Sequence, residues 1–310
     1  MTYIDAFSKV LPVILLFILG ALLRRTRFLG ESTVGDLKKL IVNATLPALL
    51  FLAFAGVNLE VHHLAIVGLI FAGCALALLI GRSLGLPSPY FPPLMTGFEA
   101  GMMGYAIFGA VYGAANIFNF AVVDLGQVTF VFFVLVPFVQ RLSTGASTFG
   151  QTLRGFLRTP VIVAILLGIL FNRLGLEPLL RGWPPTDAVF RTLELLGAVT
   201  TPLIALVIGY EVHLQRGCLR RPAQAIALRL AFWVPAGLLL NALVVRPLFE
   251  ADPVLQAAVM TMLVLPPPFV IPLFMSKASQ EERTFVVNTL SLATLVTLAA
   301  FTVITVLFQA

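Results

Sequence analysis

Two carboxylates and a run of prolines carry most of the chemistry this chain could perform. Glu99 and Asp124 fall within long apolar stretches, and Pro266, Pro267 and Pro268 interrupt another, from Val254 to Ser276, near its middle. An ionisable side chain inside a hydrocarbon-length segment is costly, faces the protein interior or water, and is by default a candidate for ion or solute handling. At Glu99 two forces oppose each other: burial favours the neutral acid, whereas nearby half-helix N-termini favour the anion. That balance suits a reversible proton or cation site; a structural acid held by a donor is the other reading. Asp124 either shares that site or has a purely hydrogen-bonded role.

The proline triplet removes three consecutive backbone donors and pushes each preceding residue out of the helical region. An unsatisfied backbone group in hydrocarbon costs several kcal/mol, so such a break survives only where it is buried in protein or lines a wet cavity. The expectation is two half-helices meeting near the bilayer midplane, a layout that frames solute sites in secondary transporters. A second weak point lies in the run from Gly97 to Tyr105, where Gly97, Gly101 and Gly104 line one helical face, permit close backbone approach and weaken the helix. These glycines read either as a crossing of two broken helices, with Gly101 opposite Pro266, or as a tight helix-packing seam. The candidate substrate and ion site therefore gathers Glu99, Gly101, Met102, Gly104 and Asp124 with Leu265, Pro266, Pro267 and Pro268, and adds Asn43. Half-helix N-termini at Pro268 and at Gly101 to Gly104 would present amides and positive dipole ends to a carboxylate.

The remaining sequence must hold these residues in a membrane. Hydrophobic residues occupy 59% of 310 positions and charged residues 11%, with a mean hydropathy of +1.02, a balance no ordinary soluble domain has. The fold class is an all-α polytopic membrane protein. The formal net charge of +6 does not point to nucleic acid, because Lys and Arg stand between apolar segments, where they set topology. Two cysteines, Cys74 and Cys218, suggest neither a disulfide framework nor a Cys-based metal site. The opening MTYIDAFSKV lacks a basic n-region and its apolar run continues to span length, so the first helix is expected to remain in the protein.

About ten apolar runs follow one another, each roughly 18 to 25 residues long. They lie near Ala6 to Leu23, Leu37 to Val57, Leu64 to Leu84, Leu94 to Gly113, Ile117 to Val139, Pro160 to Asn172, Ala188 to Tyr210, Ala223 to Val245, Val254 to Ser276, and Thr284 to Phe308. The sixth is short, and Trp183 before Pro184 and Pro185 suits an interfacial anchor. The Ser/Thr/Gly-rich stretch from Arg141 to Thr159 marks the seam between two halves. Of 20 Lys and Arg residues, fourteen fall in the loops after the odd-numbered runs. This positive-inside bias makes those loops cytoplasmic and both termini external, or periplasmic in a bacterial inner membrane.

The halves resemble each other. Pro12-Val13-Ile14 returns as Pro160-Val161-Ile162, and at the same offset of 148 Gly20 matches Gly168, Leu22 matches Leu170 and Arg25 matches Arg173. Leu46-Pro47 then meets Thr201-Pro202, and Met95-Thr96 meets Met260-Thr261. The repeat unit is five spans, residues 1–145 and 146–310, and an odd span count sets the copies in opposite orientations. Chance likeness between apolar helices is the alternative.

With these residues in place, the chain resembles the auxin efflux carrier family. The resemblance rests on Asn43-Ala-Thr-Leu-Pro-Ala-Leu-Leu-Phe, the glycine-rich fourth run followed by Asp124, the proline-broken ninth run, and Asn288-Thr-Leu-Ser in the tenth. It implies ten transmembrane helices in two inverted five-helix repeats, with crossed broken helices 4 and 9, a fold similar to the bile acid:sodium symporters and sodium/proton antiporters. Spans 1, 2, 6 and 7 would form a scaffold, and spans 3–5 and 8–10 a transport domain. The bacterial members are permeases for small organic anions, so the resemblance implies a secondary active transporter working by alternating access with such an anion as substrate. Proton or sodium coupling goes with that reading. The family often has Asn where this chain has Glu99, and proline where it has Ala106, so uncharged ligation at position 99 does not carry over unchanged.

Other classes have less support. The chain has no HExxH and no Walker motif, which leaves no catalytic residues, metal or cofactor to expect. A channel or facilitator with the same crossed-helix pore is the runner-up. Partners are the lipid bilayer and the small-molecule anion, not nucleic acid, with a homodimer left open. Arg191 and Glu194 are expected to pair, Arg229 to snorkel toward the cytoplasmic side, and His62, His63 and His213 to be solvated. Asn241 and Asn288 suit interhelical hydrogen bonds, and Asn43, Thr45, Thr200 and Thr201 flank the prolines of spans 2 and 7, where they suit the satisfaction of backbone freed by proline.

Overall fold

The computed structural model describes residues 3–57, 60–143, 149–212, 219–275 and 277–308, and among them all regular structure is helical. Cys218, His213 and Arg216 lie outside the described residues. In chain order the helices are α1 (Tyr3–Arg25), α2 (Glu31–Ala55), α3 (His63–Ser83), α4 (Phe91–Met95), α5 (Tyr105–Tyr112), α6 (Ala114–Leu142), α7 (Phe149–Arg158), α8 (Pro160–Arg173), α9 (Leu176–Arg181), α10 (Pro184–Glu211), α11 (Arg220–Leu248), α12 (Pro253–Val264) and α13 (Gln280–Leu307). Among the described residues seven segments are long and apolar enough to cross a membrane: α2, α3, Phe91–Tyr112, α6, α10, α11 and α13. Helices α8 and α12, in the sixth and ninth apolar runs, are apolar but shorter.

Three of the long helices widen to a π-turn, at Ile41–Thr45, Val131–Leu135 and Asn241–Val245. Each π-turn ends two residues before a proline: Pro47, Pro137 and Pro247. A proline has no N–H to return and its ring collides with the carbonyl four residues back. Widening the preceding turn relieves that collision without ending the helix, and the amides of Leu46, Val136 and Arg246 accordingly reach back to Ile41, Val131 and Asn241. Pro47, Pro137 and Pro247 are absorbed in this way, while Pro235 of α11 sits within regular α-helix.

The chain forms two compact units that interleave along the sequence. The first comprises residues 1–63, 101–121 and 155–211. Within it α1 packs along the later half of α10, and α8 packs along the later half of α2. Both contacts are backbone-close. A Cβ at Gly20 would collide with the Leu206 carbonyl, and one at Gly168 would sit 2.7 Å from the Phe51 carbonyl. Arg181 in this unit gathers Glu177 at 2.9 Å, Glu194 at 2.9 Å and Asp187 at 3.8 Å. Arg191 does not pair with Glu194 as its spacing suggests; it bonds Asp187, one helical turn earlier, at 2.8 Å. His63 is buried, not solvated: its Nδ1 accepts the Glu60 N–H at 3.0 Å and its ring stacks on His62.

The second unit comprises residues 64–100, 122–154 and 212–310. It holds α4, α11, α12 and α13, and both chain breaks. Its helices also meet closely, with Gly237 of α11 seated on Met260 and Leu263 of α12. The side chains of α12 from Leu255 to Val264 are all buried, so this short helix is enclosed by protein rather than lipid.

Candidate functional site

Helix α4 ends at Met95, and residues 96–99 run without helical structure before a π-turn begins at Ala100. The residue that permits this is Gly97, at φ +67°, a left-handed conformation that costs a side chain dearly. The break in the fourth run thus precedes the glycine cluster: Gly101 and Gly104 lie in helical geometry, and a Cβ at Gly101 would meet nothing nearer than Leu46 at 4.0 Å. Within its own unit Gly101 is therefore not a tight packing seam. The close approach is at Gly97, where a Cβ would fall 2.7 Å from Pro268 Cγ.

The ninth run breaks as the prolines dictate. Helix α12 stops at Val264, Leu265 turns extended, and no helix resumes beyond a single 3₁₀ turn at Ile271–Phe274. Among the described residues of this run no α-helix follows Pro268, so the expected half-helix is missing. Its dipole is lost to the site with it.

The two breaks are joined through Glu99. Its N–H donates to the Pro266 carbonyl at 2.9 Å, and its Oε2 accepts the Phe269 N–H at 2.6 Å. Other side chains satisfy further backbone groups at and beside the breaks. Gln127 Oε1 accepts the Phe98 N–H at 3.1 Å, while Gln127 Nε2 donates to Asp124 Oδ1 at 2.6 Å. Trp233 Nε1 donates to the Met95 carbonyl at 2.9 Å, and the Thr297 hydroxyl donates to the Val264 carbonyl at 2.6 Å. The Thr96 hydroxyl ties the first break to the Cys74 carbonyl of α3 at 2.7 Å. Such satisfaction is what a buried break in an apolar medium requires.

Arg229 is the largest departure from the sequence reading. It does not snorkel but is 2% exposed, and its guanidinium donates to the carbonyls of Leu94 at 3.0 Å, Gly97 at 2.6 Å and Leu265 at 3.2 Å. It also lies over the Phe98 ring at 4.7 Å. Sequence position misled here: Arg229 stands nine residues into α11, close enough to the end to reach solvent, and only the breaks' unpaired carbonyls explain why it turns inward.

Of the candidate residues, Glu99, Asp124, Leu265, Pro266, Pro267 and Pro268 belong to the second unit, and all are buried. Gly101, Met102, Gly104 and Asn43 belong to the first. Asn43 is exposed and its amide donates to the Lys39 carbonyl of its own helix at 2.7 Å. Asn241 does bond across helices, to the Gln256 carbonyl at 3.1 Å. Gln127 and Trp233 were not among the expected site residues; only an amide and an indole deep in apolar helices hinted at them. A surface cleft of about 390 Å³, lined by Arg221, Glu281, Glu282 and Phe285 among others, contains none of the candidate residues. Among the described residues no group of His, Cys, Asp and Glu could hold a metal ion.

An all-helical architecture with several helices of membrane-spanning length is that of an integral membrane protein, and several of its buried polar groups meet at two chain breaks. The chain is 25% identical over 223 residues, 69% of its length, to a protein of Methanothermobacter thermautotrophicus named an uncharacterized transporter, of which the match covers 70%. No protein-family model matches it.

Proposed function

We propose that this protein is a secondary active transporter, a permease for small organic anions that works by alternating access. The observation that carries the reading is the joining of the two breaks at Glu99, which holds a buried carboxylate against the backbone of Pro266 to Phe269. Discontinuous helices are the usual site of solute and coupling-ion binding in such proteins. The likeness to a protein named as a transporter supports the general class, and the resemblance to the auxin efflux carrier family supplies the substrate class.

In this reading the chain folds as ten spans in two inverted five-helix repeats, with a scaffold of spans 1, 2, 6 and 7 and a transport domain of the rest. The matched glycines favour the repeat: Gly20 seats span 1 on span 7, and Gly168 seats span 6 on span 2, the pairing that an exchange of halves requires. The anion preference rests on the resemblance and on the cationic Arg229 beside the breaks. The protein sits in the bacterial inner membrane with its arginine-rich loops cytoplasmic. Purified protein in liposomes, offered a panel of labelled carboxylates under imposed ion gradients, tests the proposal. Saturable uptake that exchanges against unlabelled substrate is expected. Linear, non-exchanging flux would make the protein a channel, and comparable binding of the methyl ester and the free acid of the best ligand would remove the anion assignment.

A further inference from the structure

Main-chain carbonyls exposed where a membrane helix unwinds, and those at half-helix C-termini, are the groups that coordinate a coupling sodium ion in many secondary transporters, because they supply hard oxygen ligands at the negative ends of helix dipoles. In this protein three such carbonyls converge: Leu94 from the last turn of α4, Gly97 from the first break, and Leu265 at the C-terminus of α12. They meet on a guanidinium. Arg229 places its Nη1 on Leu94 and its Nη2 on both Gly97 and Leu265, and is 2% exposed. Its Nε makes no hydrogen bond, so the group is held through its terminal nitrogens and through the Phe98 ring beneath it.

We infer that the guanidinium of Arg229 is a built-in cation that fills the carbonyl cradle between the two breaks, in the place a coupling sodium ion would otherwise take. Geometry and charge agree on this. A guanidinium is weakly hydrated, stays charged, and spreads five donors in a plane, so it can satisfy several carbonyls at once and be buried at lower cost than an ammonium. Because it is covalently tethered, it does not dissociate during the cycle and stores no energy from an ion gradient. On the proposed reading as a secondary transporter, coupling then falls to a proton, with Glu99 as the carrier nearest the cradle in sequence and bonded across the same breaks.

The inference also states what happens when the guanidinium is removed. Arg229→Ala leaves three carbonyls facing a space shaped for a small cation, and the cradle becomes responsive to sodium. Thermal unfolding of purified protein in equal concentrations of sodium, potassium and choline chloride reads this directly, without any substrate. The wild type is expected to unfold at one temperature in all three salts and to bind no radioactive sodium in a saturable manner. Arg229→Ala should be destabilised in choline, and should recover by several degrees, saturably, in sodium chloride or in millimolar guanidinium chloride. Arg229→Lys, with a more compact and more strongly hydrated charge, should be intermediate and insensitive to sodium. Saturable sodium binding or a sodium-specific stabilisation of the wild type would overturn the inference, as would an Arg229→Ala protein that unfolds identically in every salt. If that variant does not fold, the sodium titration of the wild type alone decides. Failure of every carboxylate to be transported would remove the proposed function but leave these results standing.

Discussion

Glu99 grips the segment from Pro266 to Phe269 at both ends, donating its own N–H to Pro266 at 2.9 Å and accepting the N–H of Phe269 at 2.6 Å. Phe269 is the first residue after the triplet that has an amide to give. The carboxylate thus substitutes for the helical partner that the prolines abolish, and a change in its charge acts on the backbone of the break itself. That links protonation at one side chain to the geometry of two half-membrane segments.

Glu99→Gln keeps an acceptor for the Phe269 amide but fixes the side chain as neutral. The protein should fold, and substrate exchange at equal pH should persist, while gradient-driven accumulation collapses. Proteoliposome uptake with and without a proton gradient separates the two. Glu99→Ala removes the acceptor and should cost about 1–3 kcal/mol for the orphaned buried amide. Full gradient-driven uptake in Glu99→Gln, with its loss in Asp124→Asn, would transfer the coupling role to Asp124.

Gly97 and Gly101 are four residues apart and should respond oppositely to alanine. Gly97 has φ +67° and only 2.7 Å between its hypothetical Cβ and Pro268 Cγ, so Gly97→Ala combines backbone strain of about 1–3 kcal/mol with a collision between the breaks. Gly101 is helical with open space around it, so Gly101→Ala should be neutral or stabilising. Thermal unfolding in detergent tests the pair; equal destabilisation of both would return the crossing to Gly101.

Gln127 has one job on each side, accepting from Phe98 N–H and donating to Asp124. Gln127→Leu leaves a buried amide without its acceptor and a buried carboxylate without this donor, a loss of about 1–3 kcal/mol per group. The expected result is a clear drop in unfolding temperature; a variant as stable as the wild type would mean that neither bond matters.

Much of this arrangement can be read from residue types, and the limits have a physical cause. The triplet Pro266 to Pro268 forbids a helix by covalent structure alone, so the ninth run breaks where expected. The fourth run was harder, because three glycines weaken a helix without saying which will unwind. The choice fell on Gly97, one helical turn before Gly101, since the chain must be left-handed where the other break's Pro268 presses on it, and that contact is tertiary. Arg229 illustrates the same limit: an arginine near a span end is ordinarily solvated, and only the unpaired carbonyls of two distant segments draw it inward. Asn43 bonds the Lys39 carbonyl of its own helix, a contact that residue type alone does not specify.

The orientation read from the basic loops has its own test at Cys218, which lies outside the described residues. Cys74 is buried, so a membrane-impermeant thiol reagent should report on Cys218 alone. Labelling in inside-out vesicles and protection in intact cells is expected. The reverse pattern would invert the topology and place the arginine-rich loops outside.

Gly20 and Gly168 test the repeat. They are related by the sequence offset of 148, and each is pressed against the backbone of another helix of its unit. An added Cβ at Gly20 would strike the Leu206 carbonyl and lie 2.8 Å from the Tyr210 nitrogen; at Gly168 it would lie 2.7 Å from the Phe51 carbonyl and 2.8 Å from Phe54 Cβ. Main-chain atoms cannot swing aside as a flexible side chain can, so each substitution must push two helices apart. Gly68, in α3, has nothing within 4 Å of its hypothetical Cβ and provides the control. There, alanine gains about 1 kcal/mol of helix propensity relative to glycine. Gly20→Ala and Gly168→Ala should therefore both lower the unfolding temperature, by similar amounts, while Gly68→Ala holds or raises it. If either member of the pair instead follows Gly68→Ala, the two glycines do not occupy equivalent seats, and the inverted repeat loses its structural support.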